Sequence, residues 1–229
     1  MYHHRIVGRI GIGFVPDGFI DGLGGIDPLL VGCQQKNTPE WYRAEGDRLE
    51  EAARNKMVAK GFDAFVRSPG YRHSRDIWRG PAVNLYNPSA SYVEVLLNEQ
   101  RGRLYIEGRI AMDFPLCTGQ PGEMETPKGT FRISQKVEKE YRSNLYGSFV
   151  DPTTERVVKG GVSSSDPAPP GTVFKGAEMP YWMRFNGAIG MHVGNVYRNE
   201  DSHGCVRVPV EACSILFEKL AVGSRVIVK

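Results

Sequence analysis

Hydrophobic positions divide the chain into two regimes. Residues 1–37 are rich in Gly and carry neither a helical nor a strand period. The next stretch, TPEWYRAEGDRLEEAARNKMVAKG, predicts a helix. Thr38 is placed to cap it, Pro39 suits the first helical position, Glu40 complements the positive end of the dipole, and Gly61 ends it. Leu49, Ala53, Met57 and Lys60 fall near one face, flanked by Trp41 and Ala52, so the helix reads as a packing element. RSPGYRHSRDIWRGPAVNLYNPSAS follows as a connector studded with Gly, Pro and Ser.

From Tyr92 the period shortens to two. Val93, Val95 and Leu97 alternate, as do Leu104 and Ile106, with breaks at 98–103 and at Glu107-Gly108. KGTFRISQKVE predicts another strand, and RVVKGG, YWMRFNGAIGMHV and SRVIVK add more. PVEACSILFEKLAVG predicts a helix, with Ala212, Ile215, Leu216, Lys219 and Leu220 at helical spacing and Gly223 as its stop. GGVSSSDPAPPG reads as a solvent-facing loop. The chain carries no internal repeat. The pattern predicts a mostly β domain over residues 90–229 with one or two helices, an extension of helix and connector at 38–89, and a lead segment at 1–37.

At 229 residues the chain fits one large domain, or one of about 150 residues with an extension. A net charge of +3, with both signs mixed and no dense Lys/Arg block, argues against nucleic acid as a partner. A mild positive surface suits an anionic polymer such as a cell-wall glycan. No apolar run reaches the about 18 residues of a membrane-spanning helix. Cysteines stand at 33, 117, 205 and 213 with no CxxC pair, and read as separate thiols. Near the N-terminus LLVGC resembles a lipobox, after which Cys33 would be lipidated, and His3, His4, Arg5 and Arg9 offer a basic segment upstream. Asp17, Asp21 and Asp27 oppose that reading, since an acid in a translocating helix costs about 2.5–3.5 kcal/mol. The alternative is a Gly-rich lead segment or a mis-set start.

The densest chemistry lies in GMHVGNVYRNEDSHGCVRVP, from Gly190 to Pro209. A thiol attacks well only as thiolate, and a nearby imidazole that accepts its proton makes one. His203 lies two residues from Cys205 and His192 lies thirteen before it. Gly204 permits tight backbone beside the thiol, where its amide and that of Cys205 can form an oxyanion hole. Arg207 is placed to lower the thiol pKa or to bind a carboxylate. A zinc site from His192, His203, Cys205 and Cys213 is the competing reading, but H-x10-H-x-C-x7-C matches no usual zinc pattern. Cys117 and Cys213 lie in apolar runs and read as core residues, and His3, His4 and His73 as ordinary histidines. The residues alone favour a Cys/His nucleophile without naming its substrate.

Taken together, IGMH followed by SHGCVRV resembles the active-site signature of the L,D-transpeptidases of the YkuD type. MPYWMRFNGAIGMHVG is similar to the strand that leads to the family's first His. CTGQPGEMETPKGTFRI resembles its TG…TPxG segment, and CSILFEKLAVGSRVIV its closing helix, turn and strand. The resemblance spans about residues 90–229. It implies an L,D-transpeptidase-like β-sandwich in which Cys205 attacks a tetrapeptide stem of peptidoglycan, with a thioester intermediate resolved by an amine. It implies His192 as general base, held by a carbonyl near Val193, with His203, Gly204 and Cys205 shaping the oxyanion hole. Arg207, Ser202, Tyr181, Met183 and Asn195 are expected toward substrate, although Trp182 and Met183 alternate faces and only one of the two can be exposed. Peptidoglycan stem peptides are the expected partner, with a lipoprotein or D-amino acid as other acceptors, and no cofactor is expected. The expected location is the bacterial periplasm or envelope. Resolution by water, giving an L,D-carboxypeptidase or a hydrolase of peptidoglycan–lipoprotein links, is the alternative. One departure stands out. The loop VGNVYRNED puts only nine residues between His192 and Ser202, fewer than usual for the family, though these still span about 30 Å when extended.

Overall fold

A computed structural model describes residues 39–122, 124–196 and 202–229. Cys33, the lipobox and the Thr38 cap lie outside the described residues. The chain divides into two compact units, residues 1–50 and 51–229. Of the first unit, the described part is helical.

Helix α1 spans Pro39–Val66. It runs past Gly61, where the sequence pattern ends it. Gly inside a helix costs about 1 kcal/mol against Ala, and the extra turn overcomes that by packing. Phe62 is buried edge-on against Trp78, and Phe65 meets Tyr71 in the same way. The expected packing face differs too, because Leu49 and Met57 are exposed and Phe62 is the first buried residue among those whose burial is described.

Thirteen strands follow among the described residues. A six-stranded sheet holds β1 (Trp78–Arg79), β2 (Ser91–Leu96), β3 (Arg101–Ile106), β4 (Arg109–Pro115), β5 (Gly129–Arg132) and β13 (Arg225–Val228), in the order β1-β4-β3-β2-β13-β5. A four-stranded sheet, ordered β12-β11-β10-β6, holds β6 (Gln135–Val137), β10 (Trp182–Asn186), β11 (Ile189–Val193) and β12 (Val206–Val208). The third sheet, β8-β7-β9, is made of β7 (Arg142–Val150), β8 (Val157–Ser163) and β9 (Val173–Glu178). Helix α2 spans Val210–Lys219.

The first two sheets and α2 share one core. Val93, Leu104 and Met112 come from the six-stranded sheet, Met183, Met191 and Val206 from the four-stranded sheet, and Leu216 from the helix. The alternation that predicted β2 and β3 is the alternation that buries them. KGTFRISQKVE is not one strand but two. It breaks at Ile133-Ser134 and passes from the first sheet to the second, with Ile133 buried at the crossing. Helix α2 ends at Lys219, short of Gly223, because Lys136 on β6 reaches across to donate to the Phe217 and Leu220 carbonyls. The glycines of GGVSSSDPAPPG begin inside β8 and not in a loop. Gly161, at φ +66°, is the extra residue where the register with β7 shifts. Among the described residues no helix is long and apolar enough to cross a membrane.

The connector before β2 is fastened by a buried charge cluster. The Asp113 carboxylate accepts from Arg101 Nε at 2.8 Å, Arg103 Nε at 2.9 Å and the Tyr71 hydroxyl at 2.8 Å. Arg101 also donates to the carbonyls of Ser74 and Asp76, which ties residues 74–76 onto β3. Arg101 and Asp113 are both fully buried. A buried pair gains little over an apolar equivalent, but removing one partner strands the other charge. Asp113→Asn is therefore expected to lower the unfolding free energy in urea by about 3–5 kcal/mol. A loss within ordinary surface-mutation range would show that the two guanidiniums reach water.

Candidate active site

β10 and β11 form a hairpin whose turn is Gly187-Ala188. The turn returns the chain so that His192 lies on β11, and β12 pairs parallel to β11 with Met191 opposite Val206 and His192 opposite Arg207. Cys205 immediately precedes β12 and so sits beside Gly190. Its thiol lies 3.9 Å from the Ala188 carbonyl in the hairpin turn. His192 is 7 % exposed, and its Nδ1 meets the Val193 carbonyl at 2.8 Å. A carbonyl only accepts, so Nδ1 carries the proton and Nε2 is left with its lone pair.

Both side chains open on a cleft of about 940 Å³. One wall is formed by Tyr141, just before β7, with Tyr146 on β7 and Glu178 on β9. The other is the β10–β11 hairpin with Trp182 and Arg184. Tyr141 stacks on Trp182 with ring centres 4.4 Å apart, and Arg184 donates to the Tyr141 hydroxyl, to Gln135 and to the Gly187 carbonyl. His203 faces the cleft with its ring stacked on Tyr146, centres 4.1 Å apart, and away from any strand partnership with Cys205. Asn195 and Arg207 also line the cleft. The Arg207 stem runs along Gly194, where an added Cβ would come within 2.9 Å of Arg207 Cγ.

Two expected substrate contacts are corrected. Met183 is fully buried in the core, because strand alternation gives the cleft to Trp182 instead. Tyr181 packs on the core and edge-on against Phe217, outside the cleft lining. Ser202 does border the cleft, but its hydroxyl turns back to donate to the Cys205 carbonyl and it is 2 % exposed. It shapes the loop. Cys117 and Cys213 are buried, as their apolar settings predicted. Among the described residues no group of three or more His, Cys, Asp or Glu side chains is placed to hold a metal ion.

The sequence profile of the L,D-transpeptidase catalytic domain, YkuD, matches residues 90–228. The chain belongs to this family. No curated protein matches it. Solved structures similar to it include an L,D-transpeptidase from Stackebrandtia nassauensis, 21% identical with a TM-score of 0.43, over 63% of this chain and 58% of that one. An L,D-transpeptidase from Mycobacterium smegmatis is 16% identical with a TM-score of 0.45, over 61% of this chain and 58% of that one. The catalytic domain of the Enterococcus faecium L,D-transpeptidase is 21% identical with a TM-score of 0.42, over 64% of this chain and 99% of that one. The chain spans just over half the length of the first two.

Within this L,D-transpeptidase domain the electrostatics favour neutral partners at rest. Burial pushes the His192 imidazole down to about 4, helped by the positive charge of Arg207 and opposed by the Val193 carbonyl. Burial also pushes the Cys205 thiol up, against the Gly190 backbone N–H and the charges of Arg207 and Arg184, which favour thiolate. Near neutral pH the pair is therefore thiol and imidazole, not thiolate and imidazolium. Tyr141, Tyr146, Trp182 and Arg184 were absent from the residues singled out by sequence for substrate, apart from Trp182 as the alternative to Met183. Tyr146 lies on β7 and Tyr141 just before it, and β7 and β9 have polar, weakly alternating sequences with little burial to mark them as strands.

The neutral pair predicts the pH course of thiol chemistry. Cys205 alkylation by iodoacetamide, followed by peptide mass, is expected to rise in one step centred above the about 8.5 of an ordinary thiol. Arg207→Met removes a charge that stabilises thiolate and moves the step to higher pH. A reactive plateau between pH 5 and 7 would reveal a resting ion pair and contradict the assignment.

Proposed function

We propose that the chain is a peptidoglycan L,D-transpeptidase working outside the bacterial cytoplasm, with Cys205 as nucleophile and His192 as base. The observation that carries the reading is His192 itself. It is buried, its Nδ1 proton is committed to the Val193 carbonyl, and it opens on the same cleft as Cys205 in a chain of this family.

The chemistry follows from the two neutral groups. With a tetrapeptide stem in the cleft, Nε2 of His192 takes the thiol proton as Sγ adds to the carbonyl of the residue preceding the terminal D-amino acid. The tetrahedral oxyanion is met by backbone amides of the His203-Gly204-Cys205 turn, where Gly204 adopts φ +102°. The C–N bond then breaks, and the leaving amine takes the proton from imidazolium. The thioester remains on Cys205. An acceptor amine from a neighbouring stem attacks it, the S–C bond breaks, and His192 carries the amine proton back to sulfur. A desolvated imidazole is suited to this, since it holds the proton only while the negative intermediate is present.

Arg184 and Arg207 place positive charge around the thiol. They suit the carboxylate of the departing D-residue, with the Tyr141–Trp182 stack as an apolar wall. Asn195 lies on the same cleft and His203 braces its loop against Tyr146.

The test is incubation of the full chain with disaccharide-tetrapeptides, with products read by mass. Cross-linked dimers with loss of one D-residue per linkage are expected, and Cys205→Ala abolishes them. Dimer formation that survives Cys205→Ala would overturn the mechanism. Free D-residue with no dimer would identify water as the acceptor and make the enzyme an L,D-carboxypeptidase.

A further inference from the structure

The CTGQPGEMETPKGTF segment holds none of the groups in that mechanism, yet its Thr118, Gly119 and Thr126 are buried against the nucleophile loop. Thr126 is fully buried. Its hydroxyl accepts from the Gly119 N–H at 2.9 Å and donates to the Gly204 carbonyl at 2.9 Å, so its proton is committed to one peptide and a lone pair to another. Gly119 makes the approach possible. A Cβ there would lie 1.9 Å from the Met124 carbonyl oxygen, 2.8 Å from Gly204 Cα and 2.9 Å from Gly204 N. The loop is tied on both sides of this contact. Ser202 N–H donates to the Thr118 carbonyl at 3.0 Å, and Cys117 exchanges two backbone bonds with Arg207.

The Gly204 carbonyl belongs to the same planar peptide as the Cys205 N–H. In a trans peptide the two point in opposite directions, so fixing one fixes the other. The carbonyl of Cys205 itself is held by the Ser202 hydroxyl. Cys205 thus has both flanking carbonyls tethered, one by Thr126 and one by Ser202. Gly204, at φ +102°, is the flexible point in the turn, and without the tether the peptide after it is free to swing.

We propose that Thr126 is a positioning residue for acyl transfer, whose hydroxyl orients the Gly204–Cys205 peptide so that the Cys205 amide N–H is aimed at the developing oxyanion. This rests on the acyl-transfer reading above and extends it to a residue that never touches substrate. It assigns a task to the TG…TP segment as well. Gly119 lets the segment close on the turn, and Thr126 sets the direction of the donor.

The experiment separates reactions that build an oxyanion from one that does not. Full-length wild type, Thr126→Val, Thr126→Ala and Thr126→Ser are treated with a carbapenem, which acylates a thiol through a tetrahedral oxyanion, and with iodoacetamide, which does not. Thr126→Val is expected to slow acylation of Cys205 by about a hundredfold while its alkylation rate stays close to wild type. Thr126→Ala, which leaves room for a bridging water, is expected to fall between, and Thr126→Ser to restore acylation. Acylation and alkylation falling together in the Val and Ala variants, or acylation unchanged in both, would overturn the proposal. So would failure of both variants to fold, judged by thermal unfolding, since Thr126 would then serve stability alone. A wild-type chain that iodoacetamide labels and no carbapenem acylates would sink the acyl-transfer reading itself, a different pattern from failure of the Thr126 variants.

Discussion

The site depends on one backbone constraint, the parallel pairing of β11 with β12. Antiparallel neighbours are joined by a tight turn, but parallel ones need a crossover of about a dozen residues or more. Here the crossover is residues 194–205, twelve in all, with β11 ending at Val193 and β12 beginning at Val206. The connection is at the lower limit of what the geometry allows. Cys205 is its last residue, so the strand pairing that positions His192 also delivers the thiol, with Met191 opposite Val206. The short loop between His192 and Ser202 is thus part of a crossover near the lower length limit for a parallel pair. The TG…TP segment holds the far end of that crossover, through the Cys117–Arg207 and Gly119–Ser202 bridges.

Burial makes this pair a different device from an ion-paired thiolate. Desolvation disfavours both charged forms, raising the thiol and lowering the imidazole. In the acyl-transfer reading proposed above, charge appears on the pair only as the substrate carbonyl is attacked. Arg184 and Arg207 bias the same cleft toward negative charge, and Arg184 is held by Gln135, Gly187 and Tyr141 at once. Groups fixed in this way need little reorganisation when the oxyanion forms.

Much of this was legible in the sequence, and the failures have physical causes. Strands that bury one face announce themselves by alternation, which is why Val93, Val95, Leu104 and Ile106 read correctly. The third sheet has no such signature. β7 and β9 bury little, and β8 carries a glycine pair that looks like a turn until pairing with β7 shows Gly161 to be a bulge. Residue spacing and family likeness pointed to His192 and Cys205, and the structure brings both to one cleft. Alternation warned that Met183 and Trp182 face opposite ways but not which way each faces, because both are large and apolar. Thr126 was visible as part of a motif, yet its two hydrogen bonds join residues 119 and 204, a separation that no local pattern encodes. The helix end at Val66 was likewise set from a distance, by Trp78 and Tyr71.

The strand β13 lies between β2 and β5, paired parallel to the first and antiparallel to the second. Residues 225–228 therefore join the edge strand β5 to the rest of the six-stranded sheet, and Val226 sits in the core opposite Val93 and Phe131. Without those residues β2 and β5 have nothing between them, and the segment that continues from β5 through β6 has one anchor fewer. The sheet is therefore completed only by contacts between residues far apart along the chain, and pairings of that kind are slow to form in folding.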